Sequence, residues 1–136
     1  MLIPRRFLLL CSIVCLTTLQ GDEREDCLRR LEPLAAALSD SQPGAFLGAF
    51  EPGMQDFNVL SGHIVALTEQ AVVASSVAVL AATKEDCLVD WEMNINARVT
   101  HVSQFVRRRD RVRVVYGSKK NKLRSIGPVE FFRPLD

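Results

Sequence analysis

The chain has little of what metal sites and nucleophilic sites are built from. It holds two histidines, His63 and His101, and four cysteines, of which Cys11 and Cys15 lie in an apolar run near the N-terminus. None of them stands at the spacing of a zinc site. The sequence also has no Gly-x-Ser-x-Gly elbow and no phosphate-binding glycine loop. We therefore expect no metal, no cofactor and no catalytic residue of these classes.

Long hydrophobic runs are equally scarce, and one of them indicates export. A stretch from Phe7 to Leu19 follows Arg5 and Arg6 and ends before the charged residues 22–26, which is the pattern of a secretory signal. About 13 apolar residues rise only about 20 Å as a helix, too little for a hydrocarbon core of about 30 Å. The sequence predicts a signal peptide over residues 1–21 and an exported (periplasmic or secreted) domain over 22–136, with no stable membrane span. A retained signal anchor is the alternative.

The charges are balanced. The chain has 17 basic and 16 acidic residues, and loss of Arg5 and Arg6 with the signal leaves 15 basic residues against 16 acidic ones. This balance argues against a nucleic-acid partner. The remaining chain of about 115 residues has the size of one ordinary domain.

Two cysteines remain after signal removal, Cys27 and Cys87. In an oxidising compartment disulfides persist, so one hypothesis is a bridge that ties the first helix to the sheet and closes a loop of about 60 residues. The alternative is two buried free thiols.

The first half of the domain has apolar residues at helical spacing. Apolar residues recur at three and four positions over 24–39, although Pro33 is expected to kink or split this helix. A short second helix follows over about 43–50, and a third over about 55–70.

After Gln70 the period changes to two. Strands are predicted over 72–82, which is apolar on both sides, over 87–96, where apolar and polar residues alternate, over 105–116, and over 122–132. Helices followed by an antiparallel four-stranded meander define an α+β fold.

Three stretches carry a resemblance to a known superfamily. They are residues 34–39 with 43–47, residues 88–93, and the terminal 128–134. In order and spacing the chain resembles the nuclear transport factor 2-like superfamily, which includes SnoaL-like and ketosteroid-isomerase-like proteins, and most of all exported bacterial members of unassigned activity. The resemblance covers about 28–134. It implies a strongly curved sheet wrapped around the helices as a cone with an open mouth.

The resemblance also implies a pocket inside the cone for a small apolar ligand. The candidate lining residues are Phe46, His63, Trp91, Met93, Val114 and Tyr116. Enzymes of the superfamily place an acid or base there, but Asp90 and Glu92 fall on the parity opposite Trp91 and should point outward unless a bulge re-aims them. His63 borders the apolar stripe of its helix, either as a cavity-facing proton carrier or as a residue at the core edge.

The last hairpin is strongly basic. Arg107, Arg109, Arg111 and Arg113 alternate on one side of their strand, and Lys119–Arg124 add further cations. This face either binds an anionic partner electrostatically or is a solvated surface neutralised within the protein.

Three functions remain open at this stage. They are a non-catalytic domain that holds an apolar ligand, an isomerase- or cyclase-type acid–base enzyme, and a dimeric interaction module using the convex sheet and the basic hairpin. A homodimer is expected from the resemblance and from the two-sided apolar strand 72–82.

Overall fold

A computed structural model describes residues 2–98, 104–119 and 121–136, with side chains from Gly21 onward. Three α-helices come first, α1 (Leu2–Ser39), α2 (Pro43–Leu47) and α3 (Phe57–Gln70). Pro33 lies inside α1 without splitting it, contrary to one of the two expected outcomes. Its side chain is exposed, so the carbonyl that loses its amide partner lies on the face of the helix that water reaches.

Four antiparallel strands follow in a simple meander. They are β1 (Ala71–Ala82), β2 (Asp86–Ala97), β3 (Phe105–Tyr116) and β4 (Leu123–Gly127), in the spatial order β1-β2-β3-β4. The predicted change from helix to strand at Gln70 is confirmed, because α3 ends at Gln70 and β1 begins at the next residue. The α+β class is confirmed with it.

The strongly curved cone is not found. The four strands form an open sheet that is neither closed nor strongly curled. Bulges are what bend a sheet sharply, and the described register shifts lie between Val79 and Ala81 and between Val115 and Tyr116. Both shifts are at one end of the sheet, so the long β1–β2–β3 part keeps a regular register.

The predicted last strand, 122–132, is too long. β4 ends at Gly127, and Val129–Phe132 form a 3-10 turn after the cis peptide bond of Pro128. Pro128 has no N–H to continue the ladder. The turn lets the consecutive Phe131 and Phe132 both be buried, which a strand with alternating side chains does not allow.

The core lies between the helices and the inner face of the sheet. That face carries the apolar parity of the strands, as the alternation in β2 predicts. Its buried residues are Val73, Val89, Trp91, Met93, Ile95, Val112 and Val114. Against them α1 and α3 place their apolar stripes, among them Leu31, Leu34, Leu38, Leu60, Ile64 and Leu67.

Cys27 of α1 and Cys87 of β2 form a disulfide, with 6.2 Å between their Cα atoms. Both residues are buried. The bridge is consistent with an oxidising, extracytoplasmic location. It favours the disulfide hypothesis over two free thiols.

A helix that crosses a membrane must be both long and apolar. In the part of the chain that the structure describes, no helix is both long enough and apolar enough to span a bilayer. The expected cleavage near Gly21 falls within α1 and stays a prediction.

Candidate functional site

The residues expected to line a pocket lie in the core. Phe46, Trp91, Met93 and Val114 are fully buried, and Tyr116 is 8% exposed. Four clefts on the described part of the molecule are lined by other residues. The sixth candidate, His63, lies apart from this group at the C-terminal 3-10 turn, where its Nε2 is 3.3 Å from a carboxylate oxygen of Glu130.

An aromatic cluster occupies the space between the sheet and the helices. The Phe132 ring lies 5.1 Å from the Trp91 ring and 5.6 Å from the Phe46 ring, both edge-on, which is the favoured geometry for aromatic pairs. The indole N–H of Trp91 donates to Ser75 Oγ at 2.7 Å. Phe46 and Trp91, two of the candidate lining residues, therefore pack around Phe132 in the core.

Tyr116 is the one buried hydroxyl among the candidates. Its oxygen has no hydrogen-bond partner within the described residues, and the Arg30 guanidinium carbon lies 4.1 Å from the ring centre. Burial raises the pKa of Tyr116, and the nearby Asp26 carboxylate raises it further, while Arg30 opposes both. The phenol is therefore protonated at neutral pH, where it can donate a hydrogen bond.

The structure does not bring the two polar candidates together. Tyr116 contacts Arg30 of α1, whereas His63 of α3 is paired with Glu130. An acid–base reaction would need a proton carrier beside the hydroxyl. His101 lies outside the described residues. Over the described ranges there is also no group of three or more His, Cys, Asp or Glu side chains that could hold a metal ion.

The outer face of the sheet carries pairs of oppositely charged side chains. Asp90 and Glu92 flank the buried Trp91 and point outward, as their parity predicts. Three arginines of β3 pair across to carboxylates of β2: Arg107 with Glu92, Arg109 with Asp90, and Arg113 with Asp86. The arginine side chains of these pairs are 61–64% exposed.

Arg109 and Asp90 form the pair with the most hydrogen bonds. The Arg109 Nε lies 3.0 Å from both Asp90 oxygens, and its Nη2 lies 2.6 Å from one of them. The hydrogen bonds from Arg109 hold the pKa of Asp90 below its ordinary value of 3.8, although partial desolvation opposes them.

This pair gives a first testable prediction. In Arg109→Gln the Asp90 pKa should rise towards 3.8, because a neutral amide stabilises the carboxylate less than a guanidinium does. The folded pKa lies below the unfolded one, so the ionised pair stabilises the fold above the unfolded pKa. That stabilisation is lost as the pH falls through the folded pKa. Carboxyl NMR titration measures the shift, Arg113→Gln should leave it unchanged, and an equal effect of both variants would contradict the assignment.

Arg108 is a structural residue that the sequence analysis missed. Its side chain lies on the inner parity of β3, and its guanidinium donates to the carbonyls of Phe131, Arg133 and Pro134. Burial lowers the pKa of this guanidinium, and the neighbouring Arg133 lowers it further. The signal was available, because the alternation that sends Arg107 and Arg109 outward sends Arg108 inward.

Comparison with known proteins gives no relative. No family model, no curated protein and no solved structure matches the chain. The α+β architecture is seen in the structure, and the superfamily resemblance stays a prediction.

Proposed function

We propose that the protein is an exported, non-catalytic interaction domain that binds an anionic partner through the outer face of its sheet and the hairpin between β3 and β4. The observation that carries this proposal is the row of Arg107, Arg109, Arg111 and Arg113 on the outer face of β3. A partner that presents carboxylates in an extended array would meet these cations at every second residue of the strand.

The ion pairs within the protein leave this surface usable. An exposed arginine–carboxylate pair contributes only about 0–1 kcal/mol to stability, so a partner's carboxylate can replace the internal one at little cost. Arg111 is exposed and forms no ion pair with any described residue. It is the cation most available for a first contact, and Lys119 and Arg124 at the hairpin extend the positive field.

The two other functions predicted from the sequence have less support. A ligand in the interior would have to occupy space held by Phe46, Trp91 and Phe132. An isomerase- or cyclase-type enzyme would need a proton carrier beside Tyr116, and the histidine predicted for that role, His63, is paired with Glu130 instead. Membership of the nuclear transport factor 2-like superfamily is compatible with the proposal, because that fold hosts many unrelated functions.

Charge reversal of Arg111 tests the proposal. Arg111→Glu should weaken binding of a fluorescent poly-glutamate peptide at least tenfold at low salt, because it replaces an attraction with a repulsion at the centre of the row. Fluorescence anisotropy measures the affinity, and raising the salt should weaken wild-type binding.

The matched control is Lys84→Glu, which makes the same charge change in the turn between β1 and β2. It should alter the affinity less than about twofold, since it lies outside the arginine row. An equal loss in both variants, or no binding of the peptide by the wild type at low salt, would refute the proposal.

A further inference from the structure

The first part of β3 forms an edge of the sheet. β4 pairs only with residues 113–116 of β3. After Gly127 the chain turns away from β3 through Pro128 and the 3-10 turn Val129–Phe132. Among the described residues, β3 over 105–112 therefore has a strand partner on one side only, which is β2. We call residues 105–112 the β3 edge.

The odd-numbered residues of the β3 edge direct their backbone groups away from β2. On the β2 side the carbonyl of Gln104 accepts from the Ala97 N–H at 3.0 Å, and even-numbered residues continue this pattern. In an antiparallel ladder the N–H and C=O of one residue bond to the same neighbouring strand, so those of Arg107 and Arg109 point to the open side. No described residue forms a hydrogen bond with them.

The open stretch ends at Asp110. The Oδ1 atom of Asp110 accepts the Arg111 N–H at 2.7 Å, which occupies the next edge donor. Two residues further on, Arg113 already pairs with Gly127 of β4. An added strand can therefore pair with β3 over residues 105–109.

A groove runs along this stretch. It lies between residues 107–110 of β3 and the C-terminal turn, with Pro128 and Phe131 on the far wall, and its volume is about 440 Å³, within the range of about 300–1,000 Å³ of ligand sites. The Arg108 guanidinium fixes that wall by donating to the carbonyls of Phe131, Arg133 and Pro134. The groove contains four arginines against two carboxylates: Arg107, Arg108, Arg109, Arg133, Asp110 and Glu130.

The side chains beside the edge select the charge of an added strand. On the outer face the open stretch carries Phe105, which is 59% exposed, followed by Arg107 and Arg109. Charged side chains on an edge oppose unwanted pairing, but a strand with carboxylates opposite the arginines would form favourable cross-strand pairs. A second copy of this edge does not fit. Any register that pairs both Arg107 and Arg109 within two β3 strands sets at least one arginine opposite another.

We infer that the anionic partner is an extended acidic segment of another protein, which adds to the β3 edge as an antiparallel fifth strand. This inference rests on the proposed function and specifies its binding mode. The segment places acidic residues opposite Arg109 and Arg107 and an apolar residue opposite Phe105. Its backbone exchanges hydrogen bonds with Arg107 and Arg109, while its side chains supply the charge specificity.

A synthetic peptide with backbone methylation tests the strand addition. The probe is fluorescent Thr-Glu-Thr-Glu-Thr-Phe-Thr, measured by anisotropy at low salt against the full chain in the form that the cell produces. N-methylation of its two glutamates removes the N–H groups that face β3, so it should weaken binding about tenfold or more. The matched control carries N-methyl groups on the third and fifth residues, whose N–H groups face solvent, and should bind within about twofold of the parent. All three peptides have the same charge.

Amide hydrogen exchange measures the same contact on the protein. With saturating peptide the N–H groups of Arg107 and Arg109 should exchange about tenfold more slowly or less, because they gain acceptors. The Arg111 N–H, already bonded to Asp110, should change less than about twofold. The inference is overturned if both methylated peptides bind alike, if the Arg107 and Arg109 amides keep their unbound rates, or if the parent peptide does not bind. In each case poly-glutamate binding, and its loss in Arg111→Glu, still decides the proposed function.

Discussion

The double variant Cys27→Ala, Cys87→Ala should lose about 4 kcal/mol of its free energy of unfolding. The two residues are 60 positions apart, and a cross-link over about 60 residues removes that much loop-closure entropy from the unfolded chain in the chain-entropy model. This loss is a large fraction of the free energy of unfolding of a typical domain, which is about 5–15 kcal/mol. We expect the effect to be this large because the bridge joins α1 to β2 across 60 positions of the chain, and the stabilisation grows with the length of the closed loop.

Urea denaturation followed by circular dichroism measures the change. The wild type in excess reductant is the control, and its midpoint should fall to that of the double variant, because both have lost the same cross-link. Thiol labelling of the denatured, unreduced wild type, with the labelled sites mapped by mass spectrometry, should leave Cys27 and Cys87 unmodified. Labelling of both residues, or a midpoint insensitive to reductant, would contradict the bridge.

Local patterns were sufficient to predict most of the fold. The apolar spacing before Gln70 and the alternation after it correctly separated helices from strands. The alternation in β2 also predicted which side chains face inward, with Trp91 buried and Asp90 outside. These predictions succeed because a strand places successive side chains on opposite faces, whatever the rest of the chain does.

Features that depend on distant contacts were not predictable in this way. The curvature of the sheet depends on where bulges fall, and nothing in the sequence marks the shift between Val79 and Ala81. The way the candidate lining residues pack depends on distant contacts too. Phe132 lies in a 3-10 turn and contacts Trp91. The alternation of apolar and polar residues along the sequence does not predict this contact.

The arginine row of β3 has features that the sequence pattern predicts and others that depend on contacts between strands. Parity placed Arg109 on the outer face, but its bidentate contact with Asp90 depends on the register of β2 against β3. Asp90 is directly opposite Arg111 and yet is bound by Arg109, its diagonal neighbour. The sequence pattern predicts the face on which each charged side chain lies but not its ion-pair partner. Among the described residues, Arg111 is the arginine of this row that forms no ion pair.

Phe132→Ala should destabilise the protein by about 3–5 kcal/mol, the usual cost of truncating a buried phenylalanine. The side chain is fully buried, and its loss removes the edge-on contacts with Trp91 and Phe46. The matched control is Phe105→Ala, because Phe105 is 59% exposed and its truncation should cost less than about 0.5 kcal/mol. Denaturant midpoints at constant slope measure both, and equal losses would contradict the placement of the two rings.

The same variant separates the interaction function from the apolar-ligand function. If Phe132 fills the interior, its removal opens an apolar cavity, and such cavities stay dry and bind small aromatic molecules. Benzene should therefore raise the melting temperature of Phe132→Ala and leave that of the wild type unchanged, since a ligand stabilises only the state that binds it. If benzene stabilised the wild type as strongly as the variant, the interior would already hold a pocket for an apolar ligand. That result would favour the apolar-ligand function over binding through the outer face of the sheet.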